Sequence, residues 1–221
     1  MKGGGLRRLS YLLPISLLVV LTLIAAGCSG PDDKMPADEP NYKVSFDDTG
    51  SRVITVKEGI GHFSMVYPDG FKLDIIKIDN SGGREKLFVD FIGPATPDVI
   101  VPGIHIYASV YDDSFTSGQA AESLLNLARN YNNFRLLNES MLTVAGVTAY
   151  QHYYYSDEYP YDLHLIKPSE EDIILVTWLT REAFFDHSGL SWTIRMLSDP
   201  SREEHDMAVF DRILDSFKVL D

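Results

Sequence analysis

The chain has 221 residues, 45% of them apolar, and a formal charge of -13 from 32 acidic and 19 basic residues. Acidity on that scale argues against nucleic acid as a partner, because phosphates call for a basic surface. A lone cysteine, Cys28, excludes an intrachain disulfide, so stability must come from burial.

Lys2, Arg7 and Arg8 give a positive start, residues 9–26 are mostly apolar, and Leu23-Ile24-Ala25-Ala26-Gly27 closes on Cys28. That order is a secretory leader, and the cysteine makes it a lipobox, cut before Cys28 so that the thiol takes a diacylglyceryl group. Pro14 interrupts the run, which falls short of the roughly twenty unbroken apolar residues of a spanning helix. Two or three acyl chains hold a protein at the membrane effectively for good. Ser29, where inner-membrane retention favours aspartate, points to the outer membrane if the cell has two. Removing residues 1–27 takes three basic residues and no acid, so 194 residues remain and -13 becomes -16. Anionic headgroups repel such a chain, which implies a domain standing off from the bilayer.

Residues 28–50 hold Pro31, Pro36 and Pro40 among Asp32, Asp33, Asp38, Glu39, Asp47 and Asp48, a composition that reads as an unstructured tether. The domain is expected over residues 51–221. Val53, Ile54 and Val56 suggest a first strand, and Phe63, Met65 and Tyr67 a second. Tyr67-Pro68-Asp69-Gly70 reads as a hairpin turn, with Phe71, Leu73 and Ile75 on the return strand. Leu87, Val89 and Phe91 mark another strand, and Ile104, Ile106, Ala108 and Val110 another.

Thr116 and Gln119 have capping-box spacing before a helix with Leu124, Leu127, Ala128 and Tyr131 as its stripe. Residues 134–144 suggest a strand, and residues 147–167 a hairpin turning through Ser156 to Pro160. Residues 173–179 are apolar on both faces, as in a central strand. Residues 181–198 read as less regular. Ser201 and Glu204 have capping-box spacing before a helix with Met207, Phe210, Ile213, Leu214 and Phe217 as its stripe. The pattern is that of an α+β domain, an antiparallel sheet covered by helices.

Tyr67-Pro68-Asp69-Gly70-Phe71, Val144-Ala145-Gly146-Val147 and Ile213-Leu214-Asp215-Ser216-Phe217-Lys218-Val219 resemble local signatures of the PsbP-like family, whose members include an extrinsic photosystem subunit and bacterial lipoproteins. The resemblance covers about residues 52–221 and implies a three-layer α/β/α sandwich with a central antiparallel sheet. It also implies a non-catalytic accessory or assembly factor, with no cofactor.

Tyrosines crowd the expected hairpin at Tyr150, Tyr153, Tyr154, Tyr155, Tyr159 and Tyr161. Exposed, they would suit recognition of another envelope protein; packed under helices, their rings would turn inward. Phe185 and Trp192 pose the same choice between contact patch and core plug. His152 and His164 would face each other if the turn were centred near residues 157–159, the basis of an alternative reading as a small-ligand or metal-binding envelope lipoprotein. No nucleophile or zinc-protease motif is present, so an enzyme is not expected.

Overall fold

The computed structural model describes residues 41–80, 84–94, 101–110, 115–158 and 176–220. The expected leader, Cys28, residues 28–40 of the expected tether, Tyr159, Tyr161 and His164 lie outside the described residues. Six strands come first: β1 (Tyr42–Phe46), β2 (Arg52–Glu58), β3 (Gly61–Val66), β4 (Lys72–Asp79), β5 (Lys86–Ile92) and β6 (Gly103–Val110). Helix α1 (Ser117–Ala128) follows, then β7 (Asn132–Val144), β8 (Val147–Glu158), β9 (Val176–His187) and β10 (Leu190–Ser198). Helix α2 (Glu203–Ser216) and the short β11 (Lys218–Val219) close the fold.

The strands form two sheets with every pairing antiparallel: β1-β2-β3-β11, and β4-β5-β6-β10-β9-β8-β7. The α+β class expected from the sequence is the class observed. Period-2 alternation decides the layering. Leu87, Val89, Phe91, Ile104, Ile106, Trp192, Ile194 and Met196 point from one face of the large sheet. They meet Ile54, Val56, Phe63 and Met65 of the small sheet and Met207, Phe210, Ile213 and Leu214 of α2. Helix α1 packs on β8 and β9 from the opposite face, where Leu125 and Ala128 close on Tyr154.

Several expectations change. The tether ends sooner than residue 50, because Tyr42–Phe46 pairs with Arg52–Val56 as β1. Alternating apolar residues at Tyr42, Val44 and Phe46 let it join an edge despite the acids around it. The expected turn forms one residue later, over residues 68–71, with Gly70 at φ +79° and Phe71 N–H donating to the Pro68 carbonyl at 3.2 Å, but it makes no hairpin. β3 stays in the small sheet and β4 crosses to the edge of the large one. A tight turn fixes chain direction, and which edge the next strand meets is decided by distant residues.

β8 is paired with β7 on one side and β9 on the other, and residues 159–167 of the expected hairpin lie outside the described residues. Residues 181–198, expected to be irregular, are most of β9 and β10, joined by a two-residue turn at Ser188 and Gly189 with φ +51° and +74°. In α1 the capping box forms as expected, but the buried stripe is Ser117, Ala121, Leu125 and Ala128. Leu124 and Leu127 stand out in solvent. Asp199, not Ser201, caps the turn before α2: its carboxylate accepts from Ser201 N–H at 2.8 Å.

Candidate functional site

The tyrosine strand divides by register. Tyr153 and Tyr155 point toward α2, and both hydroxyls donate to the Glu203 carboxylate, Tyr155 at 2.8 Å. Burial and that carboxylate push both phenols above their ordinary value. In return the two donors hold Glu203 below its ordinary value. Tyr154 points the other way and is buried under α1 against Phe134, so it offers no surface to a partner.

Phe185 and Trp192 are core residues. Trp192 is 1% exposed, stacked 6.3 Å from Phe185 and edge-on to Phe63 at 6.0 Å and Phe217 at 5.5 Å. Strand alternation from residue 183 to 196 puts them on the inner face, where the small sheet and α2 bury them. Neither is available as a contact patch.

His152 is also buried. Its ring lies 5.5 Å from Phe184, and burial holds it below its ordinary value; Glu139 pulls it up and Arg129 adds to the depression. Among the described residues no three histidine, cysteine or carboxylate side chains converge to hold a metal.

What the pairing does assemble is a row of ionisable residues running across six strands of the large sheet, on the α1 side. Asp90 of β5 stands opposite His105 of β6, and His105 opposite Arg195 of β10. Arg195 stands opposite Glu182 of β9, Glu182 opposite His152 of β8, and His152 opposite Glu139 of β7. The His105 Nδ1 to Asp90 Oδ1 distance is 2.9 Å, Arg195 Nε lies 3.0 Å from Glu182 Oε1, and Tyr154 Oη donates to Glu182 Oε2 at 3.4 Å. His105 and Glu182 are buried.

Opposite charges in direct cross-strand register favour that register, and a slip by one residue would turn the charges into the apolar layer. Within the row Arg195 and Glu182 form an ion pair, and His105 hydrogen-bonds Asp90. The sequence hinted at this row only through isolated ionisable residues in apolar runs, such as Arg195 between Ile194 and Met196, and nothing local says that they meet.

Apolar side chains are also exposed on this side of the sheet. Met141 on β7 (70% exposed) stands opposite Tyr150 on β8, and Leu127 on α1 is 53% exposed, with Leu124 and Phe115 also open. Gly118 lets the helix sit on Tyr150: a Cβ there would lie 3.0 Å from the ring. Among the described residues no helix is long and apolar enough to cross a membrane.

No family model and no curated protein matches the chain. Similar solved structures include LpqN, involved in cell envelope biogenesis of Mycobacterium tuberculosis, at 11% identity over 81% of this chain and 91% of that one, TM-score 0.48. The Ran-binding protein Mog1p of Saccharomyces cerevisiae is similar at 14% identity over 82% and 96%, TM-score 0.42. Another is the cyanobacterial PsbP (CyanoP) of Synechocystis, from the family the sequence resembles, at 13% identity over 86% and 100%, TM-score 0.46.

Proposed function

We propose that the protein is a lipid-anchored, extracytoplasmic accessory domain that binds another envelope protein and catalyses nothing itself. Its anchor is the acylated Cys28, and its contact surface is the corner formed by α1, β7 and β8 rather than the buried aromatic residues. The observation that carries this reading is the exposure of Leu124 and Leu127 on α1 and of Met141 and Tyr150 on the neighbouring strands. Water-exposed apolar side chains of this size suit a protein contact. The ion-paired row beneath keeps the strands in the register that presents them.

The test is photocrosslinking in native membranes from residue 127 or 141, with residue 77 on β4 as control. A defined adduct from the first two sites, lost in Leu127→Asp/Met141→Asp at unchanged melting temperature, supports the reading. The same adducts from residue 77, or none from any site, overturn it. Acylation is read separately: labelled palmitate should enter the wild type and be absent from Cys28→Ser.

A further inference from the structure

The outer face of the four-stranded sheet carries no acid. One row across it reads Lys43, Thr55, Ser64, Lys218, each residue directly opposite the next on β1, β2, β3 and β11. The adjoining row pairs Lys57 with His62, and the row beyond Lys43 holds Ser45, Val53 and Val66. These residues alternate with the buried Ile54, Val56, Phe63 and Met65, so they point outward, and Lys43, Lys57 and Lys218 are exposed. Along the chain the nearest acids to Lys43 are Asp47 and Asp48 in the turn past the Ser45 row and Glu39 and Asp38 in the tether.

Charge is divided unevenly along the whole chain. Residues 41–92 hold seven basic and eight acidic residues, against eight and twenty in residues 93–221. The tether, residues 28–40, holds four acids and one base and enters at β1. With β1 starting at Tyr42, thirteen residues separate it from Cys28. They reach about 45 Å when fully extended and roughly 20 Å as a coil.

We propose that this lysine face rests against the anionic headgroups of the bilayer that holds the anchor. The proposal builds on the lipoprotein reading above and replaces the stand-off that net charge alone suggests. A charged surface is felt over about 8 Å at physiological salt, so the charge of the nearest face decides the contact and the distant acids count little. Each lysine near an anionic surface strengthens attachment about fivefold, three of them about a hundredfold. That is too weak to hold a free domain and enough to orient a tethered one.

The acylated full-length mature protein is reconstituted into vesicles of phosphatidylcholine, or of phosphatidylcholine with a one-third share of phosphatidylglycerol, and its lysines are acetylated and mapped. Lys43, Lys57 and Lys218 should be protected several-fold only in the anionic vesicles and only at low salt, with Lys72 and Lys77 on β4 equally reactive in both. Equal reactivity of all five overturns the proposal. So does protection of Lys72 and Lys77 instead, or protection in native membranes but never in vesicles, which would assign the face to an acidic protein. Flotation in high salt reads the anchor on its own: a chain that floats with unprotected lysines sinks only this proposal, and one that does not float sinks the lipoprotein reading.

Discussion

Replacing Trp192 separates a core plug from a binding residue by magnitude. The indole is fully enclosed by Phe63, Phe185 and Phe217, so Trp192→Ala leaves a cavity between the large sheet, the small sheet and the end of α2. Buried aromatic truncations cost about 3–5 kcal/mol. In a domain of this size that lowers the melting temperature by about 6–20 °C. Trp192→Phe should behave differently. It leaves a smaller gap and removes an indole N–H that is buried with no acceptor among the described residues. Relief of a buried unsatisfied donor is worth about 1–3 kcal/mol, which offsets much of the lost volume. We expect the phenylalanine variant within about 2 kcal/mol of wild type and the alanine variant well below both. Urea unfolding followed by circular dichroism and by Trp178, the only other tryptophan, reads both. A Trp192→Ala protein within about 1 kcal/mol of wild type that binds its partner less well would refute the packing argument, because a surface residue behaves that way.

Asp206 is buried, and although burial pushes its carboxyl up, hydrogen bonds from Arg202, Ser198 and His205 outweigh that and hold it below its ordinary 3.8. A depressed carboxyl contributes stability that is complete above its unfolded value and lost as pH falls through the folded one. Urea midpoints of wild type and Asp206→Asn should therefore differ most at neutral pH and converge in acid; a constant gap would count against the pairing. Glu203→Ala should bring forward the alkaline rise in phenolate absorbance from Tyr153 and Tyr155, since their shared acceptor is gone although burial remains. Arg195→Met alone strands Glu182 beneath α1 and should cost about 3 kcal/mol or more, whereas Arg195→Met/Glu182→Leu should recover most of it; equal losses in chemical denaturation would contradict an ion pair. At the β7–β8 turn Ala145 sits at φ +50° before Gly146 at +81°, so Ala145→Asn should gain about 1 kcal/mol and raise the melting temperature a few degrees.

The residues that state their own surroundings were the readable ones. Ile104, Ile106 and Ala108 announce a buried face by alternation, and Thr116 with Gln119 announces a helix start because the cap is closed by residues three apart. In α1, by contrast, two stripes overlap at Ala128, the small-residue Ser117-Ala121-Leu125-Ala128 and the expected Leu124-Leu127-Ala128-Tyr131, and the larger side chains suggested the second. The sheet took the first, because small residues let a helix lie close on Tyr150 and Tyr154. Trp192 and Phe185 were ambiguous for want of a strand assignment: once residues 181–198 are two strands, alternation sends both inward. The ionic row was out of reach altogether. Asp90 and Glu139 belong to strands five places apart in the sheet, and only register makes them one feature.

On the two proposals above, the sandwich would let one acidic chain meet lipid and protein at once. The small sheet covers one face of the large sheet and α1 the other, so the lysine rows and the apolar corner look out from opposite sides. Sheets stack about 10 Å apart and a helix adds about as much again. The two surfaces are therefore separated by more than twice the distance over which salt lets charges act. Phosphate headgroups drawn to Lys43 and Lys218 lie beyond reach of Glu139 and Glu122, on β7 and α1, and a partner docked on Leu127 and Met141 is held clear of the bilayer. Reversing the lysine face, with Lys43→Glu, Lys57→Glu and Lys218→Glu together, should leave folding and the anchor intact but let the domain tumble on its tether. Crosslinking from residue 127 should then fall although no residue of that corner has changed, and an unaltered yield would mean that orientation contributes nothing to partner capture.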